Sequence, residues 1–534
     1  MKKFVILTHR WMSIVGAVLL ISWLLSGIVF TFRGMPSFSN EDRLSHLSPL
    51  DLSIARIEPI EAARNLEIKP TRLRVGMHYD GRPVYRFQGS AAAYADTGEK
   101  IPGRNQEQAL SLVRQLEPAH AATVRYDRLL EDIDVWTAGN RRGSQLPLHK
   151  IALGDSWDTY YYISQASGEP VMKTDRASRF WGLLGPVLHQ WYFTPLRRNS
   201  ELWDTLMWWG SLGGMLICVS GLVAGVWMYS LKGRFRKKGA PSRSPYSGWL
   251  YWHHYAGLIF GTVTFTWMFS GALSASFYQG PSIDPTPEQR TVATGGPIDL
   301  SSVTLANLRN AVDVLNQSFQ PREIDIQQFR GDLYVLGANG PAERPLIGAT
   351  DRDPNYRPPE YRMVWLDHPE RGSFTRFSDD AMMEIARESM PGVNIADAEW
   401  IHDYDNYYRT RKDAQPLPVL RVRYADPTTT WLYIDPHRGG IALRVQQHNR
   451  NRRWLYNGLH KFDFPYIYSN RTLWASSIVI LSIGGLLLSM TTLVPTVRRL
   501  NRHAQRGIAW LGLKFPARAP VPAKQVQSQR VQMK

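Results

Sequence analysis

Four apolar stretches, near residues 11–33, 204–230, 249–277 and 474–496, constrain this 534-residue chain more than any other feature. Each approaches the ~20 apolar residues that cross a hydrocarbon core of ~30 Å. The mean hydropathy of the whole chain is negative, so most of it belongs in water. Lys2 and Lys3 precede the first stretch as they would in a signal peptide. Its apolar run exceeds the ~7–15 residues of such a segment, and no A-x-A-like cleavage site follows. It is therefore read as an uncleaved span, the first of four transmembrane helices.

The charges set an orientation. The linker 231–248 carries six Lys or Arg and no acid, and the tail 497–534 carries nine and no acid. Together with Lys2, Lys3 and Arg10 they make 18 positive charges against a net charge of +17, so the rest of the chain is close to neutral. Every Asp and Glu falls within 41–204 or 284–463. By the positive-inside rule, residues 1–10, the linker and the tail are cytoplasmic. The segments 34–203 and 278–473, each ending in a juxtamembrane stretch, lie outside. Topology and attraction to anionic membrane lipid explain the basic tail, and no nucleic-acid partner is expected. The single cysteine, Cys218, lies in the second span. It excludes an intrachain disulfide, an iron–sulfur cluster and a Cys-x-x-Cys-His haem attachment.

The chain matches itself. A shift of 244 residues lays "HRWMSIVGAVLLISWLLSG" from His9 on "HHYAGLIFGTVTFTWMFSG" from His253. His9 to Trp23 and His253 to Trp267 are both 14 residues, and Ser26-Gly27 recurs as Ser270-Gly271. A shift of 271 lays Asp155, Thr159, Leu188-His189 and Trp203 on Asp426, Thr430, Leu459-His460 and Trp474. Each half is span, outer domain, span. The halves enter the membrane in the same direction, as two parallel repeats. The outer domains read as α+β. "IEPIEAARNLE" and "TLANLRNAVDVLNQSF" have helical spacing, and a hairpin turns at Asp80-Gly81. Neither domain carries a nucleophile elbow, a P-loop, a dinucleotide fingerprint or an H-E-x-x-H motif.

Four of the 14 histidines are tied to the self-match. His9 pairs with His253 at the cytoplasmic face, and His189 with His460 at the outer face. Two imidazoles facing across a helix bundle can ligate one haem iron axially. The competing reading makes them interfacial anchors like the neighbouring Trp and Tyr. His254 rivals His253 as ligand; the H-x-aromatic frame shared with His9-Arg10-Trp11 favours His253. A straight helix would carry His189 and His460 about 21 Å beyond the Trp that opens each later span. Breaks near Pro195 and Pro465 are expected to fold them back. Asp405 and Asp463 either orient a histidine ring or hold a propionate-binding arginine, or form surface salt bridges. The cluster "HNRNRRW" (448–454) meets haem propionates, an anionic chelate or lipid phosphates.

These residues resemble the PepSY-associated transmembrane family of iron-regulated membrane proteins. The motifs are "THRWMSIVGAVLLISWLLSG", "DYDNYYRTRKDAQPLPVLRVRYADPTTTWLYIDPHRGG", "RRWLYNGLHKFDFPYIYSNRTLW" and "HHYAGLIFG". The resemblance covers nearly the whole chain. It departs at Ser13, where the family's H-R-W-x-G has glycine, and its outer domains are larger than in compact members. The resemblance implies four spans with periplasmic PepSY-type domains in a bacterial inner membrane. It also implies haem b, one or two groups, on His9, His253, His189 and His460. Some members are similar to reductases that release iron from ferric siderophores. The expected function is thus electron transfer from a cytoplasmic or quinol donor to a periplasmic ferric chelate. A PepSY domain also resembles inhibitory protease propeptides. The alternative is a non-enzymatic protein binding a peptide or peptidase.

Overall fold

The computed structural model describes residues 1–89, 91–138, 145–237, 239–274, 281–340, 360–409 and 415–510. Residues 275–277 of the expected third span, Lys238 of the linker and the tail from 511 lie outside these. Along the chain, α1 (Lys2–Phe32) leads to α2 (Pro59–Asn65) and strands β1 (Arg74–Met77), β2 (Pro83–Arg86) and β3 (Ala92–Tyr94). Then come α3 (Gln106–Leu116) and β4 (Arg125–Leu130), β5 (Leu148–Ala152), β6 (Tyr160–Ser164) and β7 (Pro170–Thr174). The long helix α4 (Ser200–Met228) follows, then a hairpin of β8 (Phe235–Lys237) and β9 (Ala240–Ser242) within the basic linker. The second half repeats the order. It has α5 (Trp249–Ser274), α6 (Leu305–Asn316), then β10 (Glu323–Phe329), β11 (Asp332–Ala338) and β12 (Tyr361–Trp365). Next are α7 (Asp379–Glu388) with β13 (Ile395–Ile401), β14 (Val419–Tyr424), β15 (Trp431–Asp435) and β16 (Gly440–Val445). The chain closes with α8 (Arg471–Met490) and a basic amphipathic helix, α9 (Leu493–Trp510).

Four helical stretches, α1, α4, α5 and the one beginning at Arg471, are long and apolar enough to cross a membrane. Three of them, α1, α4 and the one beginning at Arg471, start before the apolar stretches of the sequence, because helix extends back to its cap. Asn199 and Asn470 set the starts of α4 and α8, each side chain accepting from the backbone three residues on, Leu202 and Leu473. The four form a ring. α1 packs on α4 and α8, and α5 packs on the same two, so α1 and α5 lie diagonally. Glycines permit the close approach between halves. A Cβ at Gly214 would lie 2.7 Å from Met268 Sδ, and one at Gly485 3.1 Å from Leu24 Cδ2.

The remaining body is α+β, built as four runs of one helix followed by an antiparallel meander. The first meander of each half joins the other half's in one six-stranded sheet, β12-β11-β10-β1-β2-β3. Its centre is the antiparallel pair β1–β10, with Arg74 opposite Asp325, Val75 opposite Ile324 and Gly76 opposite Glu323. Strand alternation sends Val75, Ile324 and Ile326 to one face. There they pack under Ala62 and Ala63 of α2 and Leu308, Val312 and Leu315 of α6. Glu323 and Asp325 turn to the other face. Arg43 reaches Glu323 at 2.7 Å, and Arg72 reaches Asp325 at 2.9 Å, so ion pairs also cross between the halves. The two four-stranded sheets, β4–β7 and β13–β16, are covered by α3 and α7 through Leu112, Val113, Met382 and Ile385. The expected hairpin turns at Gly81, whose φ of +82° favours glycine.

Candidate functional site: two histidine pairs

His9 sits in the third turn of α1 and His253 in the second turn of α5, the two diagonal helices. Their ring centres are 6.1 Å apart, with planes inclined by 25°. Each ring engages its Nδ1 with a carbonyl of the second long helix of its own half. His9 Nδ1 lies 2.9 Å from Ile217 O, and His253 Nδ1 lies 3.2 Å from Leu488 O. Ile217 and Leu488 are themselves 271 residues apart. An Nδ1–H that donates to a carbonyl fixes the tautomer and leaves Nε2 as the ligating nitrogen. Gly221 gives His9 its room, since a Cβ there would lie 2.6 Å from His9 Cε1.

His254 is occupied differently. Nδ1 meets Ser244 Oγ and Nε2 meets Gly225 O, both at 2.8 Å. With both nitrogens engaged, the ring ties the basic linker to the end of α4. Of the two adjacent histidines, His253 is the one that faces His9.

The other pair comes from the segments that precede α4 and α8. In each, a short helix with a widened, π-type turn ends on a residue in left-handed conformation: Trp191 (φ 52°) after the first and Phe462 (φ 51°) after the second. The chain reverses there. Pro195 and Pro465 each lie in the first turn of the next short helix rather than breaking the previous one. The indole Nε1 of Trp203 donates to Gln190 O at 2.7 Å, and that of Trp474 donates to Lys461 O at 2.9 Å. This bond sets the spacing between histidine and Trp. It holds the residue after each histidine against the first turn of the following long helix.

So folded back, His189 and His460 bring their ring centres to 6.1 Å, with planes inclined by 64°. His189 Nδ1 lies 3.2 Å from both Ser26 Oγ and Trp23 O; His460 Nδ1 lies 3.1 Å from Ser270 Oγ. Ser26 and Ser270 are the serines of the recurring Ser-Gly. The glycines complete the seat, since a Cβ at Gly27 or Gly271 would come within 3.4 or 3.6 Å of the Cε1 of His189 or His460. Between the two pairs the bundle is filled by Leu20, Trp23, Leu24, Ile217, Trp267 and Met268. Among the described residues, no group of three or more His, Cys, Asp or Glu gathers to hold a metal ion. The candidate sites are pairs.

The two carboxylates singled out in the sequence hold arginines. Asp463 accepts from Arg409 and lies 3.4 Å from Arg453. Asp405 accepts from the backbone of Tyr407 and Tyr408, from Arg421 and from the Tyr433 hydroxyl. The partners Ile217, Leu488, Ser26, Ser270 and Gly221 were not identified as site residues from the sequence. The repeated Ser-Gly was the one signal for the serines. Nothing local marks a carbonyl as a histidine's acceptor.

No family model matches the chain, and no curated protein matches it.

Proposed function

We propose that the two histidine pairs each hold one b-type haem, and that the protein carries electrons along the bundle to reduce a ferric chelate. The observation that carries this reading is the 6.1 Å between ring centres in both pairs. Two metal–imidazole bonds of about 2 Å, with ring radii of about 1.1 Å, bring ring centres about 6 Å apart. Anchors that would structure an ordinary interfacial histidine need no such spacing, and need it at two places even less. Bound there, the group supplies a one-electron Fe(III)/Fe(II) couple.

The chain's own residues do the rest. Ile217 and Leu488 orient the rings of His9 and His253; Ser26, Trp23 and Ser270 orient those of His189 and His460. The packed side chains between the pairs exclude water. The chain carries no flavin or nicotinamide motif, so the electron comes from a separate cytoplasmic or quinol donor. Its delivery to a chelated Fe(III) gives Fe(II), a softer and more labile ion that the chelator releases. This makes the chain a ferric-siderophore reductase. The same reading takes it as a duplicated member of the PepSY-associated transmembrane family in a bacterial inner membrane, with its α+β body in the periplasm.

The test is haem per polypeptide in the purified full chain. About two per chain is expected, falling to about one in His189→Ala and in His460→Ala, with loss of ferric-chelate reduction. A ratio near one in the wild type, unchanged in both variants, sinks the two-haem relay. A colourless protein sinks the redox reading and leaves the peptide-binding alternative.

A further inference from the structure

One strongly buried cation, at the start of the turn that leads to His460, is only partly used. The side chain of Arg453 is 9% exposed. Its Nε donates to Asn406 O at 2.6 Å, and its Nη2 lies 3.4 Å from Asp463 Oδ1. Its Nη1 is buried and has no hydrogen-bond partner among the described residues. A buried guanidinium with a free N–H pair is costly unless something accepts from it. Arg453 opens the widened turn 453–458. In that turn the Tyr456 ring lies over His460, centres 5.4 Å apart and planes inclined by 22°. Asp463, three residues past His460, also accepts from Arg409, whose guanidinium covers the Tyr468 ring at 3.6 Å. Two arginines share one carboxylate, and the trio keeps one positive charge.

The other half lacks this arrangement. The positions 271 residues before Arg409, Arg453 and Asp463 hold Ala138, Gly182 and Tyr192. A cation of that half, Arg197, donates to Ala138 O at 3.3 Å and covers the Trp203 ring at 4.4 Å. The histidines recur in both halves, whereas the arginine–aspartate trio occupies these positions in one only.

We infer that Arg453, positioned by Asn406 and Asp463, binds a carboxylate at the His189/His460 site. Guanidinium and carboxylate match in planar, two-point geometry, and a water-poor setting strengthens the pair. The carboxylate has two sources. One is a propionate of the haem, which rests on the function proposed above. The other is the carboxylate of an anionic ferric chelate arriving from the α+β side, which does not.

The experiment compares the wild type with Arg453→Gln and Arg453→Lys, each as the full chain, with folding checked by circular dichroism. One arm measures the midpoint potential of the haem that His189→Ala removes. The other measures binding of ferric citrate by tryptophan fluorescence. For a propionate, Arg453→Gln favours the oxidised state about tenfold, a fall of 59 mV for one electron, and Arg453→Lys restores most of it. For an external carboxylate, the potential holds and Arg453→Gln weakens citrate binding about tenfold. Unchanged potential together with unchanged citrate binding overturns the inference. A wild type with no haem at this pair removes the function proposed above, and the citrate arm then decides the inference alone. If Arg453→Gln does not fold, Arg409→Gln leaves Asp463 to neutralise Arg453 and must shift one of the two readouts in the same direction.

Discussion

Gly221 and His9 meet across α4 and α1 so closely that one added methyl would lie 2.6 Å from the imidazole Cε1. A contact that short forces either the ring or the helix to move. On the function proposed above, Gly221→Ala is expected to lower haem occupancy at the His9/His253 pair at least tenfold, about 1.4 kcal/mol, and to leave that at the His189/His460 pair unchanged. Haem content and the reduced spectrum of the variant check this. Full occupancy at both pairs would mean that His9 is not a ligand.

His9→Ala and His253→Ala are each expected to remove the same single haem. His254→Ala is expected to leave it bound, because both nitrogens of His254 are engaged with Ser244 and Gly225. What His254→Ala loosens is the linker, which becomes more accessible to protease. An essential His254 beside a dispensable His253 would place the register of the third span off by one residue.

The two pairs differ in ring inclination, 25° against 64°. Near-parallel axial imidazoles give ferric haem a rhombic low-spin resonance, and steeply crossed ones give a strongly anisotropic signal. With haem at both pairs, as proposed, the expected spectrum contains both, and His460→Ala abolishes only the anisotropic one. Two identical rhombic signals would contradict the observed ring geometry.

In the α+β body, burial by itself raises the Glu169 carboxyl, but Arg86 and Arg43 outweigh it and hold it below the usual carboxylate range. A depressed folded-state pKa stabilises fully above the unfolded value, about 4.3, and the gain is lost as pH falls through the folded value. Glu169→Gln is therefore expected to cost about 1–3 kcal/mol near neutral pH. The gap from wild type closes in acid. Unfolding of the full chain at about pH 7 and about pH 3 measures it, and a gap that persists in acid would assign the loss to packing.

Alkaline phosphatase fusions read the orientation. Fusions after His120 and after Asp380 are expected to be active, and those after Ala240 and after Trp510 inactive. Activity at Ala240 would invert the protein in its membrane.

Much of the bundle was legible because its signals are local. Apolar runs mark the four long helices, and the His9 and His253 frames repeat within one helix each. The reversals before α4 and α8 were placed near the wrong residues. Proline is the obvious breaker, yet the chain turns at Trp191 and Phe462, aromatic residues for which positive φ is uncommon and sequence gives no warning. The histidines could be paired from the repeat, but their acceptors, the carbonyls of Ile217 and Leu488, have no side-chain signature. The junction of β1 with β10 was illegible for another reason. Both strands alternate as any half-buried strand does, and nothing in the pattern of either names a partner about 250 residues away.

That junction limits how the molecule can move. Proteins that pass solutes by alternating access rock one half against the other about a central hinge. Here the halves are fastened twice, by the backbone ladder of β1 and β10 and by the closed ring of long helices. Rocking at either level would shear the other, breaking strand hydrogen bonds or pulling Gly214 from Met268 and Gly485 from Leu24. A frame riveted at both ends is a poor pump, and the proposed electron transfer asks no part of it to step aside.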